Sequence, residues 1–122
     1  MANAINWFEI PASNLDRAVQ FYSKVLDTEL PITDMMDAKL AFIPVERGEI
    51  GGCIAAGDRY KPSADGTLVY LNGGEDLSTP LARVEAAGGK VEMPKTKISD
   101  EVGFMAIIRD TEGNRVAFHS MA

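Results

Sequence analysis

The stretch Asn14-Leu15-Asp16-Arg17-Ala18-Val19 returns further along the chain as Asp76-Leu77-Ser78-Thr79-Pro80-Leu81. The two copies are 62 residues apart (Leu15 to Leu77). The same spacing carries Leu40 to Val102, Phe42 to Phe104, Arg47 to Arg109, Gly51 to Gly113 and Ile54 to Val116. Identity between the halves is low, but one register running through several elements marks a duplication. Each half holds about sixty residues, too few to bury a strong core alone. The halves are therefore expected to pack as a single domain over residues 1–122, with modules at about 1–60 and 61–122.

Each half reads as the same series of elements. Ile5 to Ile10 is a short strand closed by Pro11 and Ser13. Asn14 is placed to cap a helix whose apolar stripe is Leu15, Ala18, Val19, Tyr22, Val25 and Leu26, with Asp16 in the first turn. Strands are predicted over Thr28–Ile32, Lys39–Val45 and Gly52–Ala56. The second half begins with a strand over Thr67–Asn72. Asp76 then caps a helix carrying Leu77, Leu81, Val84 and Ala87, which Gly88-Gly89 ends. Pro80 falls in the first helical turn, where its missing N–H costs little. Strands over Lys90–Met93, Gly103–Arg109 and Arg115–Ser120 complete the half. The unit is βαβββ used twice, an α+β fold, with Gly57–Gly66 as linker.

Composition narrows the function classes. The chain has 12 Lys and Arg against 18 Asp and Glu, a net charge of −6. That balance repels phosphate backbones and anionic lipid, so neither nucleic acid nor membrane is expected as a partner. No apolar run approaches the roughly 18 residues of a membrane span. The N-terminal residues lack the basic and apolar regions of a secretion signal, and Cys53 is the single cysteine. A reducing cytoplasm is the expected location.

With "NLDRAVQFYSKVL" after the first strand and "DTEGNRVAFHS" at the end, the duplicated βαβββ chain resembles the vicinal-oxygen-chelate superfamily. That group includes glyoxalase I, bleomycin-resistance proteins and extradiol dioxygenases. The resemblance implies curved mixed sheets around a cleft, and specifies the fold far better than the reaction. Its enzymes hold a divalent metal between the first and last strands of both units. Carried over by position, the metal ligands would fall on Trp7, on Ala117 after Gly113-Asn114-Arg115-Val116, on Ala55, and on Val69 or, with a loop shift at Gly73-Gly74, Leu68. None supplies the N, S or carboxylate O that zinc and its relatives need, so no metal and no cofactor is expected.

Strand alternation nevertheless marks where a cleft would lie. If Trp7 points into it, Glu9 does too, together with Cys53, Ala55, Arg115, Ala117 and His119. His119, the only histidine, is either a structural hydrogen-bonder or, with Glu9, a general acid–base pair. The carboxylate of Glu9 needs a partner, for which Arg115 is one choice. Cys53, in Gly51-Gly52-Cys53-Ile54-Ala55-Ala56, reads more as tight strand packing than as a nucleophile. Trp7 is either the floor of an aromatic-lined pocket or a plug. Tyr60 either covers the cleft or stands on a surface loop. Arg47 and Arg109 read as a solvated sheet edge, and Met35-Met36 as gap-fillers or the flank of an apolar cleft.

The leading expectation is a metal-independent protein that binds an aromatic or planar small molecule. Trp7 would stack on the ligand; Cys53, Ala55, Tyr60, Arg115 and Ala117 would line the site. The alternative is an enzyme of lyase, isomerase or dioxygenase type acting on a small carbonyl or oxyanion substrate. It would be either metal-free, with Glu9 and His119 as a general acid–base pair, or metal-dependent, with a glyoxalase-like site whose ligands the sequence does not locate. A homodimer is expected, because half-open sheets need their edges and apolar faces covered.

Overall fold

The computed structural model describes residues 3–35 and 37–122. Its first sheet contains β1 (Trp7–Pro11), β2 (Ile32–Met35), β3 (Ala38–Ile43) and β4 (Gly51–Ala56), ordered β1-β4-β3-β2. The second contains β5 (Val69–Asn72), β6 (Lys90–Ser99), β7 (Gly103–Arg109) and β8 (Arg115–Ser120), ordered β5-β8-β7-β6. In each sheet the first and last strands of the module run parallel and the other pairs antiparallel. Two helices, α1 (Leu15–Leu26) and α2 (Ser78–Leu81), complete the two tandem modules. The class is α+β, as the patterning predicts. No helix among the described residues is long and apolar enough to cross a membrane.

Local chemistry sets α1. Asn14 sits in extended geometry and its side chain accepts from the Arg17 N–H, while Asp16 and Lys24 stand where the helix dipole favours them. Leu15, Ala18, Phe21, Tyr22 and Val25 are buried. Asp27, at φ 53°, ends the helix in the left-handed region, a conformation that a short polar side chain tolerates.

Three elements differ from the sequence expectation. Thr28 closes the end of α1 by donating to Ser23 O and Leu30 is buried, so β2 starts at Ile32 rather than Thr28. The α2 segment keeps only four helical residues. After Leu81 its bonds mix i→i−3 with i→i−4 spacing, tightening the chain into 3₁₀-like turns up to Gly89. β6 runs past Pro94 to Ser99 instead of stopping at Met93. It is the outer strand of its sheet, where a missing N–H is tolerated, and its register shifts three times along β7. Met35 is exposed on β2; Met36 lies outside the described residues.

One core serves both modules. Ile10, Ala41 and Ile54 of the first sheet, with Ala12 just after β1, join Leu71, Ala106, Ile108, Val116 and Phe118 of the second around the α1 stripe, Leu77 and Val84. The packing is close: a Cβ on Gly89 would come within 2.5 Å of the Phe21 ring.

The turn Asp110-Thr111-Glu112-Gly113-Asn114 clasps the modules together. Glu112 Oε1 accepts from the Ser13 and Asn14 N–H groups at 3.0 and 2.8 Å, and Arg17 Nε donates to Oε2 at 2.7 Å. Tyr22 donates to Asp110 Oδ2 at 2.6 Å, and Asn114 Nδ2 donates to Pro11 O at 2.7 Å. Gly113, at φ 89°, supplies the left-handed residue that this turn requires. Burial pulls the Glu112 carboxyl upward, but the Arg17 guanidinium and the Asn14 and Ser13 donors outweigh it and hold the group at about 2.

Candidate functional site

Alternation along the strands sorts side chains as the sequence implies. Phe8 and Ile10 on β1, Ile54 on β4, and Val116 and Phe118 on β8 turn to the core. Trp7, Glu9, Cys53, Ala55, Arg115, Ala117 and His119 therefore occupy the opposite faces of the sheets. Cys53 and Ala55 are wholly buried there in a second apolar cluster with Ala38 and Leu40, against which Phe42 and Tyr60 pack. Tyr60 thus reaches from the linker over this face, and its hydroxyl donates to Glu9 Oε1 at 2.9 Å.

Trp7 is 45% exposed. It meets the edge of Phe42, with ring centroids 5.9 Å apart. With Ile5, Glu9 and Val69, it lines a groove of about 410 Å³ between the start of the first sheet, the linker and the start of β8. Lys61 and Asp65 of the linker and Arg115 of β8 complete its polar wall. Lys61 and Asp65 were not foreseen, because no local pattern says which linker residues fold back over a sheet. Phe42 was legible in principle, since it alternates with Leu40 along its strand.

His119 does not share this groove. It lies four residues beyond Arg115, roughly 13 Å further along β8. It lines a separate recess with Tyr70, Ile98, Val102 and Met121. Its Nε2 meets the Val102 carbonyl, a group that can only accept. The expected Glu9–His119 pair is thus not formed: both side chains have the anticipated facing, but they stand at different positions along their sheets. Glu9 does not pair with Arg115 either. Arg115 and Arg109 both meet Glu92, at 3.4 and 2.6 Å, so Arg109 belongs to a cross-strand ion cluster rather than a free sheet edge. Arg47 is exposed, as expected.

The registers also correct the alignment of the halves. Ala12 N donates to Ala55 O where Gly73 N donates to His119 O. The spacing is therefore 61 between the first strands (Ala12 to Gly73) and 64 between the last (Ala55 to His119). Trp7 then corresponds to Leu68 and Ala117 to Cys53, rather than to Val69 and Ala55. Of these four positions only Cys53 carries a donor atom. Burial, then the neighbouring Glu9 carboxylate 3.9 Å from Sγ, push its thiol up to about 11 and keep it protonated. These residues do not fit a divalent metal, and among the described residues no three His, Cys, Asp or Glu side chains converge elsewhere.

Solved structures share this architecture. The antibiotic-binding protein TnmS3 from Streptomyces sp. CB03234 superposes with a TM-score of 0.66 at 19% identity, covering 100% of this chain and 99% of its own. The trypanothione-dependent glyoxalase I of Leishmania major gives 0.67 at 16% identity, covering 98% and 87%. Glyoxalase I from Zea mays gives 0.69 at 16% identity, covering 97% of this chain but 44% of its own. Among curated proteins none matches the sequence. The sequence profile of one family spans residues 4–118. Fold and profile agree: the chain belongs to the Glyoxalase/Bleomycin resistance protein/Dioxygenase superfamily.

Proposed function

We propose that this chain is a metal-independent small-molecule-binding protein that holds an aromatic or planar ligand in the groove beside Trp7. It would act as a cytoplasmic homodimer, each chain a single domain of two modules. The observation that carries this reading is Trp7 itself. A half-exposed indole, set edge-on to Phe42 in a groove with Ile5 and Val69, offers a flat apolar surface within reach of a few charged groups. Of the four positions where the family's enzymes bind metal, only Cys53 carries a donor atom, and that is a buried, protonated thiol, which supports binding over metal-dependent chemistry. The acid–base alternative loses its support within one chain, since Glu9 is held by Tyr60 and His119 by Val102.

The test is a thermal-shift screen of aromatic compounds, followed by titration against Trp7 emission. A ligand at about 100 times its Kd should add about 2.7 kcal/mol of stability. Trp7→Ala should weaken binding most, by tenfold or more (about 1.4 kcal/mol), and His119→Ala should change it little. A ligand that binds Trp7→Ala as tightly as the parent would overturn the assignment of the groove. Elemental analysis after dialysis should find no stoichiometric metal; about one tightly held ion per chain would overturn metal independence.

A further inference from the structure

Lys90, Arg109 and Arg115 stand side by side across three strands. The β6–β7 register sets Lys90 opposite Arg109, and the β7–β8 register sets Arg109 opposite Arg115. Like charges placed directly opposite destabilise a sheet, and this chain carries a net charge of −6. A row of three cations is therefore not a sample of its average surface. Among the described residues one carboxylate bonds to the row: Glu92 meets both Arg109 and Arg115. Against that single carboxylate, the three cations leave an excess of positive charge. Arg109 Nε is closed off from solvent and has no hydrogen-bond partner among the described residues, a donor whose desolvation is uncompensated.

The row leads into the groove, because Arg115 lines it together with Trp7, and Lys61 adds a further cation. We infer that the groove selects aromatic ligands bearing a carboxylate or comparable anion. The ring lies on Trp7 and the anion lies at the Arg115–Arg109 end. The inference rests on the binding function proposed above and adds the ligand's charge. A guanidinium presents a planar fork that matches a carboxylate, and it gives up its hydration more readily than an ammonium. Glu9 and Asp65 line the same groove and repel an anion, so the arginine row is where the charge gains.

The experiment titrates the full chain with para-nitrobenzoate and para-nitrobenzamide, which differ mainly in charge. Binding is read by calorimetry and by quenching of Trp7, the only tryptophan. The parent protein should bind the benzoate about tenfold more tightly than the amide, a difference of about 1.4 kcal/mol. That preference should shrink in high salt. It should fall to about twofold or less in Arg115→Gln and in Arg109→Gln (less than about 0.5 kcal/mol), and survive in part in Arg115→Lys, which keeps the charge without the fork. Trp7→Leu should weaken both probes alike. Thermal melts confirm that each variant is folded, and Arg115→Lys carries the test if a glutamine variant is not. Equal binding of the two probes overturns the anion preference while leaving the aromatic groove in place. A preference that persists through both glutamine variants overturns the assignment to the arginine row. If neither probe gives heat or quenching, the groove reading falls and this inference falls with it.

Discussion

Replacing Glu112 by Gln tests the clasp between the modules. The carboxylate is shielded by its own donors: its side chain is 0% exposed, whereas that of Arg17 is 51% exposed. A group held at about 2 in the fold and near 4.5 in the unfolded chain contributes stability that is fully present above the unfolded value. That contribution is lost as the pH falls through the folded value. The interval corresponds to about 3 kcal/mol at pH 7 and about 1 kcal/mol at pH 3. Screening of the half-exposed arginine reduces the pH 7 figure to about 2 kcal/mol. In Glu112→Gln one amide oxygen can still accept from Ser13 and Asn14, but the NH₂ group faces the Arg17 donors. We expect the variant to be about 2 kcal/mol less stable at pH 7, a fall in Tm of roughly 6–10 °C for a domain of this size. The gap should close by at least half at pH 3. Urea unfolding of both proteins at the two pH values measures it. A loss below about 0.5 kcal/mol at pH 7 (the usual range for an unremarkable surface substitution), or a gap that is the same at both pH values, would refute the reasoning.

Other outcomes follow from the same geometry. Cys53, buried and with its thiol pushed up to about 11, should resist alkylation at pH 8 in the native protein and react only after unfolding; rapid native labelling would show that the Tyr60 cover is not in place. Sedimentation equilibrium should give twice the 13.2 kDa chain mass, and a single-chain mass at micromolar concentration would exclude the dimer. Asn14→Ala should cost about 1 kcal/mol through the lost cap, read as a lower Tm.

What the sequence determined by itself was everything set by short-range periodicity. The period of two along Trp7-Phe8-Glu9-Ile10 and Arg115-Val116-Ala117-Phe118-His119 assigned each side chain a face, because successive strand residues must point oppositely. The 3.6 period and Asn14 placed α1, because a helix needs an apolar stripe and a donor-satisfying cap. The repeat supplied the tandem architecture. Tertiary structure decided whatever depends on which distant elements become neighbours. The strand expected over Lys90–Met93 continues through Pro94 to Ser99 because β6 is an outer strand, where a missing N–H is tolerated. Glu9 finds Tyr60, and Arg115 finds Glu92, through sheet assembly and a linker that folds back, neither of which has a local signature. A shared face does not fix position along it. Glu9 and His119 have the facing that alternation requires, yet strand registers, set by hydrogen bonds between remote segments, hold them in separate recesses.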